Sequence, residues 1–332
     1  MSILTFGEIL LRIQSQDESF WKDGQSGAKI YPGGSEANLA VTLANLGHPV
    51  SYLTAFPDNT LAYGIQQLLE GIGVNCDKSI IKQGRIGTYY LLSANGLSKG
   101  EVVYDRDPSS FTQLKLEDMD MDAIFQGVEW FHWTAITPAL SMQLNQILLR
   151  LLQEAKNRDI SVSVDLNYRS KLWQYGKAPE EVMPDLVKFC DVIMGNVWAA
   201  EKMLGYKLHR NLHRHSPKNE LYDEAKQCAA DLFTSFPTAK HIAMTYRFMD
   251  HPKHNLFFGT YHTRTYDFIS SSQQSDDIVD RIGSGDAFMA GLIHALRSEM
   301  SGQEVVETAT KEGFKKLFIA GDFNMKNNIQ ND

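Results

Sequence analysis

The stretch "DRIGSGDAF", residues 280–288, places glycines, a serine and an acid directly before the apolar run "MAGLIHAL". Such a run is typical of a helix, and the backbone N–H groups of a helix's first turn have no partner within the helix. Because glycines let an anion approach these groups closely, Gly283, Ser284 and Gly285 predict an anion site that suits phosphate. Asp286 at its mouth can accept the proton of a hydroxyl that attacks a γ-phosphoryl group, which is the chemistry of a kinase.

The same residue types also suit a helix start that binds nothing, since Ser and Asp are favoured as N-caps without any ligand. The two interpretations differ in what the glycines do. If they serve phosphate, a β-branched residue at position 283 or 285 weakens catalysis and leaves the melting temperature near normal. If they serve only the backbone, the same change unfolds the protein.

Strands that alternate with helices predict an α/β fold with a doubly wound, mainly parallel sheet covered on both faces. "EANLAVTLANLG" predicts a helix with Leu39 and Leu43 on its apolar face and Gly47 at its end. "SMQLNQILLRLLQEAKNR" predicts another, followed by the strand "ISVSVDLNYR", and "CDVIMGN" and "HIAMTY" predict two strands that end in polar residues. Because ligands bind at the carboxyl ends of such strands, we expect one shared edge for Asp165, Asn167, Asn196 and Thr245.

Two segments, residues 10–32 and 84–112, do not follow this alternation. In the second, "TYYLLSA" and "EVVYDR" flank "NGLSKG" as the two strands of a hairpin would. The two segments predict a small β-sheet that emerges from the main domain and covers the active edge as a lid, which excludes water from a reaction. We therefore expect one domain over residues 1–332 that carries this lid.

The composition favours a small polar ligand. The 332 residues carry a formal net charge of −8 and no block of Lys or Arg, so nucleic acid and anionic membranes are not expected partners. No apolar run reaches the ~18 residues of a membrane span. Cys76, Cys190 and Cys228 are odd in number and far apart, which is typical of reduced thiols in the cytoplasm. His209 and His213 have the i, i+4 spacing of a zinc pair, but a third acidic ligand is missing nearby, so we assign no metal ligands.

"GSGDAFMAGLIHAL" resembles the C-terminal signature of the ribokinase/phosphofructokinase-B family of sugar kinases. "GGSEANLAVTLANLG" resembles its N-terminal signature, with Asn38 after the two glycines. Two signatures in the right order, about 250 residues apart, are far more specific than either alone. The resemblance implies a ribokinase-like fold, Asp286 as the catalytic base, the backbone N–H groups of Gly283 to Asp286 as the anion hole, and ATP with Mg²⁺ as the phosphoryl donor. It leaves a requirement for a monovalent cation open, and it implies a homodimer or higher homo-oligomer.

Within this family the chain is most similar to the 2-keto-3-deoxygluconate kinases, over nearly its whole length. The likeness rests on "GRIGTYYL", "VVYDRDPSS", "DLNYRSKLW", the Arg-Ile variant "DRIGSGDAF" and the tail "AGDFN". It implies phosphorylation of the terminal hydroxyl of a sugar acid, whose carboxylate a guanidinium matches with two parallel hydrogen bonds. The residues implied to line the sugar site are Gly33, Gly34, Asn38, Tyr89, Tyr104, Arg106, Asp165, Asn167 and Arg169.

These sugar-site residues also have ordinary alternatives. Arg106 and Arg169 fit as partners of Asp105 and Asp165, because lone arginines are usually surface charges or ion-pair partners. The tyrosines fit as strand residues, since tyrosine favours strands in any case. The sequence alone leaves both interpretations open.

The nucleotide side departs from the family's pattern. The family's Asn-x-x-Glu motif is "NVWAAE" here, so Asn196 is kept and Ala199 stands in place of the glutamate. On a helix, Glu201 lies nearly opposite Ala199 and is a poor substitute. The family's glycine-bearing ATP loop is replaced by "TYRFMDHPKHN". We leave two alternatives, a fructokinase or ribokinase and a non-catalytic sugar-binding protein, and assign to the nucleotide Asn196, Thr245 and Asn324.

Overall fold

A computed structural model of the chain describes residues 2–16, 20, 27–92 and 101–325. The strands in these ranges are β1 (Ser2–Phe6), β2 (Leu10–Ser15), β3 (Ala28–Gly33), β4 (Val50–Leu53), β5 (Ala55–Phe56), β6 (Val74–Asn75), β7 (Ile80–Ile81), β8 (Gly87–Leu91), β9 (Val102–Asp105), β10 (Val128–Thr134), β11 (Ser161–Asp165), β12 (Val192–Gly195), β13 (His241–Phe248), β14 (Asn255–His262), β15 (Asp267–Ile269) and β16 (Gln273–Ser275). The α-helices are α1 (Ser35–Asn45), α2 (Thr60–Ile72), α3 (Met121–Phe125), α4 (Ile136–Leu140), α5 (Met142–Asn157), α6 (Pro179–Val187), α7 (Val197–Leu204), α8 (Lys218–Ser235), α9 (Ser284–Arg297) and α10 (Gly302–Lys316).

Ten of these strands form the main sheet, in the order β15-β14-β13-β12-β11-β10-β1-β4-β6, with β16 paired to β14. The neighbours from β13 to β6 run parallel, and β14, β15 and β16 join as antiparallel strands. One hydrophobic cluster packs α5 to α8 on one face, and a second packs α1, α2, α9 and α10 on the other. The α/β fold with a mainly parallel sheet, predicted from the sequence, is confirmed.

The predicted helices form where apolar spacing and capping residues place them. Leu39 and Leu43 on α1 are buried, and Gly47 after this helix has φ 87°, a left-handed conformation that favours glycine. α5 begins after Ser141, whose hydroxyl accepts a hydrogen bond from the backbone N–H of Leu144. Local sequence therefore determines where these helices begin and end.

β13 is longer than the sequence predicts. It continues to Phe248, three residues past Thr245, because it pairs with the antiparallel strand β14 from Ile242 through Phe248. The segment "TYRFMDHPKHN" is thus the end of this strand and the turn of a hairpin. The expectation that the strand ends at Thr245 is wrong, since the antiparallel partner extends the hydrogen-bonded ladder beyond that residue.

The lid is a separate four-stranded sheet in the order β3-β2-β8-β9. β8 and β9 pair antiparallel, as the predicted hairpin requires, and "NGLSKG" between them lies outside the described residues. Arg12 and Tyr89 are buried on one face of this sheet, whereas Ile30 and Val103 are exposed on the other. The buried face meets the main domain where Arg12 contacts Asp280 and Tyr89 contacts Asp322.

Other predicted features lie away from the lid. His209 and His213 fall in the segment between α7 and α8, outside any helix. The three cysteines are buried and free. Of the helices in the described ranges, none has the length and apolar character needed to span a membrane.

Candidate active site

Asp286 lies in the first turn of α9 and is almost fully buried. The N-terminal end of α1 holds both carboxylate oxygens, because Asn38 Nδ2 donates to Oδ2 at 2.7 Å and the Ser35 hydroxyl donates to Oδ1. The side-chain amide of Asn167 in turn donates to Ser35 Oγ at 3.0 Å. Burial raises the pKa of Asp286, and the hydrogen bonds from Ser35 and Asn38 partly offset this effect. The result is an oriented carboxylate with the raised basicity of a proton acceptor.

The glycines before Asp286 have two different roles. Gly283 is the N-cap of α9 with φ 83°, and a Cβ atom there would lie 2.5 Å from the backbone oxygen of Asp322. At Gly285, by contrast, a Cβ atom would meet no atom within 4 Å. The expectation that both glycines can be replaced without loss of stability is therefore wrong for Gly283, whose backbone conformation and close packing exclude a side chain. The open space beside the helix start lies at Gly285.

The Ser284 side chain is occupied within the protein. Its hydroxyl donates to the backbone oxygen of Arg281 at 3.1 Å and accepts from Arg247 Nη1 at 2.7 Å. An anion at this helix start is therefore left mainly with backbone N–H groups as donors. Arg247 adds a cation that the sequence analysis missed. Its position two residues after Thr245, on the same face of β13, is a signal that the strand spacing could have given.

A group of carboxyl side chains faces Asp286. Burial, followed by the charge of Asp286, raises the pKa of Asp165 to about 8, against an opposing contribution from Arg169. Burial also raises the pKa of Glu36 to about 7, although the backbone N–H and the hydroxyl of Thr134 donate to its Oε1 at 3.1 and 2.6 Å. The raised pKa favours the protonated form of Asp165, and Glu36 is engaged by Thr134, which leaves Asp286 as the proposed proton acceptor of this group.

Two predicted sugar-site tyrosines face each other across the lid hairpin. Tyr89 and Tyr104 are paired residues of β8 and β9, and their ring centroids are 6.4 Å apart. The Tyr89 hydroxyl donates to Asp322 Oδ2 at 2.6 Å. A Cβ atom on Gly33 would lie 2.3 Å from the same oxygen. The glycine thus lets β3 approach Asp322, in the tail motif "AGDFN".

Arg106 is already ion-paired. Its Nε and Nη2 both donate to Glu8 Oε2, at 2.8 and 2.5 Å, and the Ser109 hydroxyl donates to Glu8 Oε1 at 2.5 Å. Arg106 and Glu8 are both buried. Gly34 lies beside this pair, with φ 132° and the backbone oxygen of Glu8 2.2 Å from the place of a Cβ atom. Arg106 therefore has an acidic partner, and it is Glu8 instead of the neighbouring Asp105.

Arg169 differs from Arg106 in both exposure and pairing. It is exposed, and its Nη1 donates to the backbone oxygen of Tyr168 at 3.2 Å. Within the described ranges no carboxylate lies within 4 Å of its guanidinium. Its charge nonetheless opposes the effect of burial on the pKa values of both Asp165 and Asp286, so Arg169 lies near these two carboxyl groups. Arg169 is thus a cation with capacity for a new anionic partner.

The residues predicted to lie on the nucleotide side contact other protein groups. Asn196 is the N-cap of α7, and its side chain accepts from the backbone N–H of Ala199 at 2.9 Å. Ala199 is buried, and Glu201 on the same helix is half-buried near Lys202. Both residues lie on the helix α7, which is the condition under which Glu201 is nearly opposite Ala199.

Thr245 and Asn324 also contact protein groups. The Thr245 hydroxyl donates to the backbone oxygen of Gly195 at 3.4 Å. The backbone oxygen of Asn324 accepts from Asn45 Nδ2 at 2.6 Å. Asn45 is the last residue of α1, so Asn324 lies near the opposite end of that helix from Ser35.

A buried charge cluster behind the anion site was not predicted. Arg12 Nη1 and Nη2 donate to the two oxygens of Asp280 at 3.2 and 2.5 Å, and Arg12 Nε lies 3.0 Å from Asp322 Oδ1. The guanidinium also lies 4.5 Å from the ring centroid of Tyr31. All three charged residues are buried. The two acids belong to motifs that the sequence singled out, but nothing local marks Arg12 as their partner.

The match to known proteins agrees with this geometry. Residues 2–313 match the family described as pfkB family carbohydrate kinase, which is most of the chain. The chain belongs to this family. PfkB kinases transfer a phosphoryl group from ATP to a sugar, so the protein is an ATP-dependent carbohydrate kinase.

Relatives within the pfkB family are similar over nearly the whole chain. A 2-dehydro-3-deoxygalactonokinase of Haloferax volcanii is 28% identical over 94% of this chain and 88% of its own length. A 2-dehydro-3-deoxygluconokinase of Bacillus subtilis is 23% identical over 97% of this chain and 91% of its own. The crystal structure of a 2-dehydro-3-deoxygluconokinase from Thermotoga maritima superposes with a TM-score of 0.88, at 30% identity, over 98% of this chain and 96% of that one. The ribokinase-like fold expected for a pfkB kinase is thus confirmed.

Proposed function

We propose that this kinase phosphorylates the terminal hydroxyl of 2-keto-3-deoxygluconate, also called 2-dehydro-3-deoxygluconate. The observation that carries the proposal is Arg169, an exposed guanidinium near Asp286 with no carboxylate partner in the described residues. A neutral ketose offers such a cation only uncharged hydroxyl and carbonyl oxygens, whereas a sugar acid offers a carboxylate that can accept two parallel charge-assisted hydrogen bonds. The names of the similar kinases from Haloferax volcanii, Bacillus subtilis and Thermotoga maritima support the same substrate class.

In the proposed reaction, Asp286 accepts the proton of the sugar's terminal hydroxyl while the hydroxyl oxygen bonds to the γ-phosphorus and ADP leaves. The backbone N–H groups from Gly283 to Asp286 stabilise charge on the transferring group, and the open space at Gly285 fits this role. Mg²⁺ bound with ATP supplies further neutralisation of phosphate charge. In the described part of the chain no group of three acidic, His or Cys side chains could hold a metal ion, so we assign none as a ligand.

The two arginines make unequal contributions to this proposal. The buried Arg106–Glu8 pair carries no net charge, so Arg106 positions neutral parts of the site and offers only its remaining donors to a ligand. Arg169 has no carboxylate partner among the described residues. We therefore assign most of the carboxylate recognition to Arg169, and retain Arg106 as a lining residue with Gly33, Gly34, Asn38, Tyr89, Tyr104, Asp165 and Asn167. Asn196, Thr245 and Asn324 remain proposed nucleotide-side residues.

The test compares kcat/KM for 2-keto-3-deoxygluconate, its 4-epimer, fructose and ribose in the wild type and in Arg169→Leu. Charge-assisted hydrogen bonds contribute about 1.5–3 kcal/mol each, so Arg169→Leu should lose roughly 10- to 150-fold in kcat/KM on the acids. The kcat/KM values of Arg169→Leu for the neutral sugars should fall little. Arg150→Leu is the matched control, because Arg150 is half-exposed on α5 and pairs only with Glu154. Equal losses on acids and neutral sugars would instead favour a fructokinase or ribokinase, and no turnover of any sugar would favour a sugar-binding protein.

We also propose a homodimer formed through the outer face of the lid, in the cytoplasm. Ile30, Ile13, Tyr90 and Val103 are cross-strand neighbours on β3, β2, β8 and β9, and they form one apolar row across the sheet. Ile30 is 61% exposed and Val103 41% exposed. A second copy would cover such a row by two-fold symmetry. Light scattering should show a dimer for the wild type and a monomer for Ile30→Lys, and a monomeric wild type would contradict the proposal.

A further inference from the structure

Lys316, the last residue of α10, is a fully buried lysine. Its Nζ donates to the backbone oxygen of Ile319 at 2.9 Å and to that of Gly321 at 2.8 Å. A lysine is almost never fully buried unless its charge is paired. This ammonium is held by backbone carbonyl oxygens, which are the kind of ligand that a bound potassium or ammonium ion takes.

The ammonium lies directly behind the anion hole. Lys316 Cε would be 3.2 Å from a Cβ atom on Gly283, the N-cap of α9. The turn that the ammonium holds also supports this N-cap, because the Gly321 N–H donates to Asp280 Oδ2 at 3.0 Å and the Asp322 backbone oxygen packs against Gly283. Lys316, the turn and the helix start therefore form one continuous contact.

Acidic side chains around Lys316 oppose the effect of its burial. Burial lowers the pKa of Lys316, whereas the charges of Asp280 and Asp322 raise it and that of Arg12 lowers it. Burial raises the pKa of Asp286, and the charge of Lys316 is the last of several contributions that oppose this effect, after the hydrogen bonds and Arg169. Arg12 and Lys316 are thus two buried cations beside two buried acids, Asp280 and Asp322.

We propose that Lys316 serves as a built-in monovalent cation that positions the Gly283 helix start for phosphoryl transfer. Since its ammonium already occupies the carbonyl ligands, the wild-type kinase needs no free potassium or ammonium ion for full turnover. Lys316 touches neither substrate in this proposal and acts through the anion hole, which makes it a positioning residue. The inference rests on kinase activity and not on the choice of sugar.

The test replaces Lys316 in two ways. Lys316→Ala removes the ammonium and leaves space for an ion, whereas Lys316→Met fills most of the space without charge. Lys315→Met is the control, because Lys315 is half-exposed and pairs with Glu312. Turnover is measured with any acceptor in the sugar panel that supports it, in N-methylglucamine buffer and in series of sodium, potassium, ammonium and methylammonium chloride at constant ionic strength. A wrong sugar assignment changes only the acceptor used, so it is distinguishable from failure of this inference.

The wild type and Lys315→Met should be insensitive to the cation. Lys316→Ala should lose roughly 10- to 100-fold in kcat with little change in the sugar KM, and ammonium or potassium should restore kcat with saturation. Lys316→Met should also have a lower kcat, and no added cation should restore it. Saturable activation of the wild type by potassium or ammonium would overturn the inference, as would full kcat in Lys316→Ala or a folded Lys316→Ala that no cation restores. If Lys316→Ala does not fold, Lys316→Met and the wild-type series decide the question, because full kcat in Lys316→Met or saturable activation of the wild type by potassium or ammonium overturns the inference.

Discussion

Replacing Gly283 and Gly285 separately with alanine should change stability in opposite directions. At Gly283 the residue has φ 83° and the new Cβ would lie 2.5 Å from a backbone oxygen. The left-handed conformation alone costs an L residue about 1–2 kcal/mol, and the close approach adds to it. At Gly285 the Cβ meets no atom within 4 Å, so alanine should stabilise the helix by roughly 0.5–1 kcal/mol.

These free energies correspond to measurable changes in Tm. At roughly 1–2 °C per kcal/mol for a chain of 332 residues, Gly283→Ala should lower Tm by a few degrees and Gly285→Ala should raise it slightly. Gly285→Ala should nevertheless lose activity, because its methyl group enters the space assigned to phosphate. We expect a roughly 10- to 100-fold lower kcat/KM for ATP, a sizeable part of the effect of losing one anion-hole donor. Differential scanning calorimetry and steady-state kinetics measure the two quantities.

Gly64→Ala in α2 is the matched control, since its Cβ also meets no atom within 4 Å and the helix is remote from Asp286. It should gain similar stability and keep full activity. If Gly285→Ala keeps full kcat/KM for ATP, the open space at the start of α9 is not the phosphate site. If Gly283→Ala is as stable as the wild type, the packing of Asp322 against the helix start is not as described.

Three further changes test the remaining parts of the site. Asp286→Asn should lose roughly 10²-fold or more in kcat and keep its affinity for the sugar in calorimetry, because it removes only the proton acceptor; undiminished kcat would refute this role. Burial raises the pKa of Asp165 in the folded state to about 8, against an ordinary 3.8. Between these two pH values the folded state retains a proton that the unfolded state releases, so the free energy of unfolding falls as pH rises from about 4 to about 8. Asp165→Asn should therefore raise the free energy of unfolding by on the order of 1–5 kcal/mol above about pH 8 and have little effect below about pH 4, and a gain independent of pH would contradict the burial argument. Arg106→Leu should cost about 3–5 kcal/mol of stability by leaving Glu8 buried without its partner, and adding Glu8→Gln should recover part of it, as urea unfolding can show; no recovery would mean that the loss is one of packing.

The sequence predicts those parts of the molecule whose causes are local. The helix start at Gly283, the apolar face of α1 and the β8–β9 hairpin follow from spacing and turn chemistry within short windows, and the structure has all three. Asp286 and Asn38 lie in two separate stretches of the sequence. The family resemblance, and no local pattern, assigned both residues to one site.

The parts that sequence analysis missed depend on contacts between distant segments. Arg12 meets Asp280 across 268 residues and Arg106 meets Glu8 across 98, and no local pattern pairs charges at such separations. Thr245 was misplaced at a strand end because the antiparallel partner that extends β13 follows it in the chain. The contacts of Arg12 with Asp280 and of Tyr89 with Asp322, which join the lid sheet to the segments around the start of α9, are visible only in the folded structure.

A single competition experiment tests the proposed function most directly. The wild-type kinase is given an equimolar mixture of 2-keto-3-deoxygluconate, fructose and ribose with limiting ATP and Mg²⁺, and the phosphorylated products are identified by mass spectrometry and ³¹P NMR. Because the product ratio equals the ratio of kcat/KM values, phosphate should appear at least about 10-fold more often on the sugar acid, at its terminal hydroxyl. Phosphate found mainly on fructose or ribose, or ADP formed without any phosphorylated sugar, would contradict the assignment.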